Sequence, residues 1–395
     1  MGKLGKKPKV GILTLYHKNY NFGGLLQAYA LPCALKENLG VEAEQIDYMR
    51  SNPPLVPTSS PEPDSGMLLK CYQSIYEWVW RLAQRICEKR YFIKRTRAFD
   101  CFIQEIAHSQ ITYDADTIQN SLTEYQRFVC GSDQIWNTEL IGPDIEVYTL
   151  QFVPENHRKI AYAPSVAVPN IVPDFVFSFQ NGLKGLDAIS VREKDALPLL
   201  KKLTDQKIEV VVDPVLLLTE NQWSEVARGA ERKRKYILCY LLGDSTGQRS
   251  AATRFSRRIR RSILTFPHII FNCVRKSDLF FGDIHDYTSG PREFLSLIKN
   301  ADFVITDSFH ACVFSMIFET PFAVFERHRE GEKGNMNSRI YDFLEEYHLE
   351  SQLVTEDELV KMQGIPRIDY TYAHAHWKKR REESLEYLAN ALKDN

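Results

Sequence analysis

The sequence predicts two α/β domains, each built around a doubly wound, Rossmann-like parallel sheet. The chain has 395 residues, more than one hydrophobic core usually supports. Its composition, 44% apolar and 26% charged, is typical of folded globular proteins. From Lys9 onward, short apolar runs alternate with longer helical segments. This is the pattern of βαβ units, whose crossover helices cover both faces of a parallel sheet.

The first half contains six predicted strands and one clear helix. Each strand is a short apolar run bounded by polar or turn-forming residues. The helix, residues 24–39, follows the first strand. The strands are predicted at residues 10–15, 43–47, 128–130, 159–163, 188–192 and 209–212.

A loop and a basic helical block separate the second and third of these strands. Residues 52–66 hold five prolines and therefore predict a loop. Residues 67–106 contain no glycine or proline, are rich in aromatic side chains, and carry eight Lys or Arg residues between positions 70 and 97. Inward packing of the aromatic side chains beside solvated cations is the favoured interpretation. Attachment of this block to anionic lipid is the alternative.

A second βα series begins near residue 235. Strands are predicted at residues 235–242, 267–274, 303–306 and 322–325. Helices are predicted at residues 251–263, 291–300 and 309–318. The basic runs 231–235 and 254–261 are interpreted as solvated faces rather than anion sites.

These elements divide the chain into two domains and a final helix. The N-terminal domain comprises residues 1–218 and includes the basic block. The C-terminal domain comprises residues 219–368. The last helix, residues 369–395, follows the C-terminal domain. Packing of this helix back onto the N-terminal domain is an alternative that the sequence leaves open.

Charge and cysteine spacing exclude several functional classes. A net charge of −1 provides no overall field for nucleic acid, so no nucleic-acid partner is expected. The eight cysteines are never closer than 14 residues, which excludes CxxC motifs and common zinc sites, and no metal is predicted. The first apolar run is too short for a signal peptide, and no run approaches the length of a membrane span. We expect a cytoplasmic protein, with peripheral contact at the inner face of the cytoplasmic membrane as an open alternative.

The turn before the first long helix is the first candidate site. In HKNYNFGG, residues 17–24, Gly23 and Gly24 allow close backbone approach. The helix start supplies free N–H groups that favour an anionic or polar ligand. A tight turn with no ligand explains the same glycines equally well.

Two further candidates follow later strands of the first half. Ser132, Asp133 and Gln134 come after a strand and a glycine, where the ligands of open α/β sheets lie. They are predicted to bind hydroxyl groups, with helix or turn capping as the alternative. Arg192 ends another strand, and its planar donor fork suits a carboxylate or phosphate. A structural ion pair with Glu193 or Asp195 is the alternative.

The sharpest candidate is His310. A buried strand ends at Thr306, Asp307 and Ser308 offer an N-cap, and His310 lies in the first turn of an apolar helix. The helix field disfavours a charged imidazole in the empty protein, whereas a bound dianion favours it. Substrate binding would thus charge a residue suited to donate a proton. A structural histidine is the alternative.

Several ordered segments resemble the polysaccharide pyruvyl transferase family. They are NFGGLLQAYAL, FVCGSDQIWN, IAYAPSVA, ISVRE, VVDPVLLL and DFVITDSFHACVFSMI, spread over residues 9–345. The resemblance implies a GT-B-like arrangement with the active cleft between the two domains. It also implies a transferase with phosphoenolpyruvate as co-substrate, no further cofactor, and a sugar acceptor, often on a lipid-linked oligosaccharide. The product would be a cyclic pyruvate ketal formed with release of phosphate.

The resemblance also implies roles for individual residues. His310 would be catalytic and Arg192 a donor-anion ligand, while the acceptor side of the cleft would be lined by Asn21, Gly23, Gly24, Gln27, Ser132, Asp133 and Gln134. Many members have an arginine where this chain has Ser308. The donor would therefore contact Ser308 and Phe309, with the missing charge supplied from Arg327, Lys333 or Arg339. A GT-B nucleotide-sugar glycosyltransferase and a non-catalytic glycan or phosphate binder remain the alternatives.

Overall fold

The computed structural model describes residues 9–51, 93–230, 232, 234–270, 273–327 and 337–393. The predicted loop at 52–66 and most of the basic block, residues 67–92, lie outside this range, as does Lys333. The remainder of the block is helical at residues 93–103. The predicted fold class is confirmed: two parallel α/β sheets form the molecule.

The first sheet has, in the described residues, seven strands that are all parallel, in the order β3-β2-β1-β4-β5-β6-β7. Six of them correspond to the predicted strands. The additional edge strand β3, HSQITY, was not predicted because it contains no continuous apolar run. The strands are β1 (Val10–Leu13), β2 (Ala43–Tyr48), β3 (His108–Tyr113), β4 (Arg127–Cys130), β5 (Arg158–Ala161), β6 (Ala188–Val191) and β7 (Ile208–Val210).

Helices connect these parallel strands. The longest is α1, which begins after Asn21, whose side chain caps the backbone N–H of Gly24. The α-helices are α1 (Phe22–Leu39), α2 (Thr138–Ile141), α3 (Ile145–Tyr148), α4 (Val176–Gly185) and α5 (Leu197–Leu200). The 3₁₀ helices are Ile118–Thr123, Gly142–Asp144, Pro173–Phe175, Lys194–Ala196 and Pro214–Leu217.

The second sheet has five parallel strands in the order β12-β9-β8-β13-β14, counted over the described residues. A separate antiparallel pair, β10–β11, lies beside it. The strands are β8 (Tyr236–Tyr240), β9 (Ser262–Thr265), β10 (Ile269–Ile270), β11 (Cys273–Val274), β12 (Ile284–His285), β13 (Phe303–Thr306) and β14 (Phe322–Val324).

Two expectations for the second half were wrong. The helix predicted to run to residue 263 ends at Ile259, because Arg260 adopts a left-handed backbone (φ 53°), and β9 follows. Residues 267–274, predicted as one strand, form the short antiparallel pair instead of joining the parallel sheet.

The second-half helices pack on this sheet and on the first domain. They are α6 (Glu220–Val226), α7 (Thr246–Ile259), α8 (Pro291–Lys299), α9 (Phe309–Ile317), α10 (Ser338–Glu346), α11 (Glu356–Lys361) and α12 (Thr371–Ala391). The 3₁₀ helices are Lys276–Asp278 and Glu350–Gln352. None of the helices in the described ranges is long and apolar enough to cross a membrane.

One hydrophobic cluster joins both sheets. Its centre is Phe22 in α1, whose ring stacks on Phe294 of α8 at 4.5 Å and lies 5.3 Å from Phe266 and 4.9 Å from Phe99. Burial of large aromatic rings is the main favourable contribution to such contacts. The two sheets therefore share a core rather than touching only at their surfaces.

The final helix α12 packs against the first sheet. Tyr387 donates a hydrogen bond to the Ala161 carbonyl, and the Ser384 hydroxyl accepts one from the Val212 N–H. Trp377 donates to the Leu216 carbonyl. The last described helix thus covers the end of the first domain, near the residues that line the cavity described next.

Candidate active site

A small cavity lies where the two domains meet. Its volume is about 30 Å³, enough for one or two water molecules. The first domain contributes the residues that follow β6 and β7 together with Leu216, and the second contributes the start of α9 and one side of α10 along its whole length. The lining residues are Arg192, Glu193, Val211, Val212, Asp213, Leu216, Phe309, Arg339, Asp342, Phe343, Glu346 and Tyr347.

Arg192 directly follows β6 and crosses toward the second domain. Its Nη1 donates to Asp213 Oδ2 at 2.6 Å, and its Nη2 lies 3.4 Å from Glu193 Oε1. The guanidinium stacks on the Phe309 ring at 4.8 Å. Burial acts to lower the pKa of Arg192, but the carboxylates of Glu193 and Asp213 outweigh it and raise that pKa. The ion pair with Glu193 that was considered from the sequence is therefore present, and Asp213 adds a shorter one.

His310 is the second residue of α9, and its ring lies between the two domains. The ring Nε2 is 3.7 Å from Asp213 Oδ2, a charge contact slightly longer than a hydrogen bond. The opposite edge of the ring packs on Gly23, where any Cβ would collide with Nδ1 and Cγ. Only 12% of the His310 side chain is exposed. The α1 turn and the histidine helix thus meet directly.

Asp213 connects the two candidate residues and was not predicted as a site residue. It is fully buried, and its Oδ1 accepts the Val215 N–H as the cap of the 3₁₀ helix Pro214–Leu217. Burial acts to raise the pKa of Asp213, but the adjacent His310 ring and the Arg192 charge hold it well below the usual range. From sequence, Asp-Pro indicates a turn, so no local signal marked this carboxylate as functional.

Arg339 lies in the first turn of α10 and is 7% exposed. Among the described residues its guanidinium has no carboxylate partner within ion-pair distance. Burial, and then repulsion from Arg192, lower the pKa of Arg339 to about 10. A buried cation without a counter-ion beside a second cation is costly, and an anion placed between them would remove that cost.

Several other polar atoms around the cavity are buried without a hydrogen-bond partner in the described part of the chain. Buried polar atoms are normally paired, so a cluster of exceptions indicates room for a polar guest. Both donors and acceptors are represented. The atoms are Arg192 Nε, Glu193 Oε2, His310 Nε2, Arg339 Nε and Tyr347 Oη.

The other predicted donor ligands lie outside this cluster or beside it. Ser308 is the N-cap residue of α9 by position, but its hydroxyl makes no capping hydrogen bond. Arg327 donates to the Asp307 carbonyl at 2.7 Å, and its Nε lies 3.8 Å from that residue's carboxylate. The Asp307 carboxylate in turn accepts the backbone N–H groups of Leu242 and Gly243. Arg327 therefore braces the loop after β8, away from the cavity lining.

The predicted acceptor side at α1 divides into two groups. Asn21 is exposed, and Gly24 lies beside the carboxylate of Asp133. Gln27, however, is fully buried, and its amide donates to Thr14 Oγ1 and the Gly24 carbonyl. The Gln27 side chain thus supports the turn from within the first domain, and its role in lining the cleft stays a prediction.

The segment after β4 is divided in the same way. Ser132 is fully buried and its hydroxyl donates to the Ala163 carbonyl, and its contact with the acceptor stays a prediction. Gln134 accepts a hydrogen bond from Asn137, which caps α2. Asp133 is half-buried in a left-handed backbone (φ 65°), and over the described residues its carboxylate has no hydrogen-bond partner. Of these three residues, Asp133 and the amide nitrogen of Gln134 keep polar atoms available to a ligand.

Comparisons with known proteins agree with this arrangement. The model of the family described as polysaccharide pyruvyl transferase matches residues 21–329. No protein with a curated description matches the chain. The UDP-GlcNAc 2-epimerase of Methanocaldococcus jannaschii has 12% identity and a TM-score of 0.50, covering 96% of this chain and 99% of that one.

A variant of the wall teichoic acid polymerase TagF also has 12% identity and a TM-score of 0.50, covering 98% of this chain and 88% of that chain. At these identities the likeness establishes the fold only, which is the GT-B-type pairing of two Rossmann-like domains. It supports the domain arrangement but not a substrate.

Proposed function

The chain belongs to the polysaccharide pyruvyl transferase family, and we propose that it uses phosphoenolpyruvate to build a cyclic pyruvate ketal on a sugar of a lipid-linked polysaccharide precursor, releasing phosphate. The observation that carries this proposal is the meeting of Arg192 and Arg339 at one interdomain cavity, with the His310 ring 3.7 Å from Asp213 in its lining. These residues supply two guanidiniums and a proton donor, which the chemistry of this compact trianion requires.

The charges around the cavity fit such a donor. Arg192 is neutralised by Glu193 and Asp213, whereas Arg339 lacks a carboxylate partner in the described residues. The donor's carboxylate or phosphate would supply the counter-charge that Arg339 lacks, and a guanidinium pairs with either group through two hydrogen bonds. The positive end of α9, a nine-residue helix, adds to the same field. Glu346, at the far side, is already paired with Arg380 at 2.6 Å.

His310 acts as the general acid in the proposed reaction. It gives a proton to the methylene carbon of the enol, and the adjacent carbon becomes oxocarbenium-like. A sugar hydroxyl attacks that carbon and loses a proton, which restores His310. The second hydroxyl then displaces phosphate at the same carbon, and its proton leaves with the phosphate. One phosphoenolpyruvate and one diol thus give one ketal and one inorganic phosphate, with Arg339 supplying uncompensated positive charge and Arg192 orienting the anion.

The cavity is too small for the donor in its present form. A space that holds one or two waters cannot hold a carboxylate and a phosphate on one carbon skeleton. Donor binding therefore requires the side chains that line the cavity to shift, and a movement of α10, which carries Arg339, would enlarge the space without separating His310 from Asp213.

The test is incubation with phosphoenolpyruvate and candidate lipid-linked sugars, with mass detection of the ketal. We expect phosphoenolpyruvate to raise the unfolding temperature of the wild type. His310→Gln should keep that protection and lose turnover by at least about 100-fold. Arg339→Met should lose most of the protection, while Arg254→Met, which changes an exposed arginine on α7, should keep it. Protection by a sugar nucleotide alone, with no ketal formed, would refute the proposal.

A further inference from the structure

The carboxylate of Asp213 is the point at which the two predicted reactive groups are joined. A single oxygen, Oδ2, faces both Arg192 Nη1 at 2.6 Å and His310 Nε2 at 3.7 Å. Arg192 and Asp213 belong to the first domain, whereas His310 belongs to the second. The contact therefore fixes a residue of one domain against a residue of the other.

The backbone on both sides of Asp213 is held in place. The Val212 carbonyl accepts the Tyr162 hydroxyl, and the Val212 N–H donates to Ser384 of α12. Asp213 Oδ1 accepts the Val215 N–H, so only Oδ2 remains for the two cations. A carboxylate that is fully buried and anchored on three sides has little freedom to follow a moving partner.

We propose that Asp213 is the positioning residue of the transfer reaction: it holds the protonated His310 ring by Nε2 and the Arg192 guanidinium by the same oxygen, so that proton donor and donor-anion ligand keep a fixed relation. This assignment rests on the function proposed above. Asp213 touches neither reacting carbon nor phosphate; it acts through the two residues that do. It also supplies counter-charge to His310 before any donor binds.

The charges that face this pair come from several elements. Arg192 and Glu193 approach from the end of β6, Arg339 from α10, and Asp133 from the segment after β4. Tyr162, at the end of β5, stays neutral because burial and then the Asp213 charge raise its pKa. Of the carboxylates facing the pair, only Asp213 lies within 4 Å of the His310 ring among the described residues. Removing the Asp213 charge should therefore destabilise the protonated His310 ring more than removing any of the other carboxylates would.

The experiment compares the pH dependence of ketal formation in the wild type and in Asp213→Asn. Asparagine keeps the cap to Val215 and an acceptor for Arg192 but removes the charge. We expect kcat to fall by about 10- to 100-fold, part of what a positioned general acid contributes. The alkaline fall of kcat should move to lower pH by about one to three units, because the protonated ring has lost its counter-charge. The KM for phosphoenolpyruvate should not rise, since Arg192 gains net positive charge toward the donor.

The matched control is Asp278→Asn. Asp278 is also buried and pairs with a buried arginine, Arg249, at 2.6 Å, but over the described residues no histidine lies within ion-pair distance of it. The Asp278→Asn variant should lose stability as Asp213→Asn does, but the pH at which kcat falls on the alkaline side should not change. Asp213→Glu, which keeps the charge, should restore the wild-type pH of that fall. An unshifted alkaline fall in Asp213→Asn would overturn the inference.

A second measurement serves if Asp213→Asn does not fold. In ¹⁵N spectra of the wild type, with His310 identified by its absence in His310→Gln, the neutral ring should carry its hydrogen on Nε2, facing the carboxylate. A hydrogen on Nδ1 would refute the positioning role. The two proposals fail separately: a wild type that forms no ketal refutes the proposed function, whereas an active wild type with an unshifted variant refutes only the role of Asp213.

Discussion

Glycine at position 23 allows a histidine of the second domain to rest on the first turn of α1. A Cβ at that position would overlap the His310 ring, and the neighbouring Gly24 would meet Asn19 in the same way. The two glycines were singled out from sequence for close backbone approach. At Gly23, the group that approaches the backbone closely is the His310 ring. The Asp213 carboxylate lies beside the same ring, 3.7 Å from Nε2.

Gly23→Ala should therefore disable the histidine without unfolding the protein. The new methyl group forces the His310 ring out of its seat, so kcat should fall by at least about 10-fold, a mispositioning effect. Alanine is favoured over glycine in a helix by roughly 0.5–1 kcal/mol, which offsets part of the steric cost to stability. Steady-state kinetics and urea denaturation measure the two effects.

Gly364→Ala is the control for that change, since a Cβ at position 364 meets no atom within 4 Å. Its activity should equal that of the wild type. Full activity in Gly23→Ala would show that the ring does not need its present position.

At the scale of elements, α10 closes the cavity by a contact with the segment after β6. The Lys194 N–H donates to the Asp342 carboxylate at 3.0 Å. Burial, and then repulsion from Asp195, raise the pKa of Asp342 to about 6. Glu193, on the same segment, adds to this repulsion. An ionised Asp342 is therefore disfavoured in the folded protein, whereas in the unfolded chain the carboxyl has its ordinary acidity.

This contact should make stability depend on pH in a defined direction. At low pH the carboxyl is neutral in both states and costs nothing. As pH rises from about 4 through about 6, the unfolded chain ionises Asp342 first, so the folded state loses stability. Asp342→Asn should stabilise the protein by about 1 kcal/mol or less at pH 7.5, since a half-exposed group is screened by water, and by about a third of that amount at about pH 4.5. Urea denaturation at both pH values measures this difference.

Asp205→Asn, an exposed carboxylate in the first domain, is the control and should show no such difference between the two pH values. Destabilisation by Asp342→Asn at pH 7.5 would mean that the hydrogen bond from Lys194 needs the charge.

Most strands and the long helices could be predicted from sequence because they are continuous apolar runs or clear helical periods. The strands that were not predicted lack those signals. In β3, HSQITY, polar residues interrupt the apolar ones, and β9 comes so soon after the basic helix α7 that the start of its short apolar run was assigned to that helix. At the site, Arg192 and His310 could be found from their places at element ends. Asp213 could not, because its role depends on contacts with residues 21 and 97 positions away in sequence. The burial of Ser132 and Gln27 could not be predicted, because a motif does not reveal which side of a turn a side chain occupies.

At the scale of the whole molecule, one hydrophobic cluster spans the two sheets, and each sheet has a further cluster of its own. Phe22 belongs to the first domain, yet its ring contacts Tyr240, Phe266 and Phe294 of the second. Domains joined by a small polar contact unfold separately, whereas a large apolar contact couples them. The two halves should therefore unfold as one unit.

Calorimetry should accordingly record a single unfolding transition for the wild type. Phe22→Ala removes the central ring and should cost about 3–5 kcal/mol, the range for a buried phenylalanine. It should also split the transition in two, because the first and second sheets lose their common centre. Phe177→Ala, which removes a ring that is 73% exposed, should change stability by less than about 0.5 kcal/mol. Two transitions already present in the wild type would contradict this coupling.

The position of α12 also bears on how a cell makes this protein. During translation, the strands of the first sheet leave the ribosome long before the helix that supplies Tyr387 and Leu388 to their core. Until α12 has been made, the nascent first half exposes an apolar surface that only later sequence can cover, which invites chaperone binding and aggregation. The first half is therefore completed only once α12 has been synthesised, and the two halves expressed as separate genes would each carry an uncovered face.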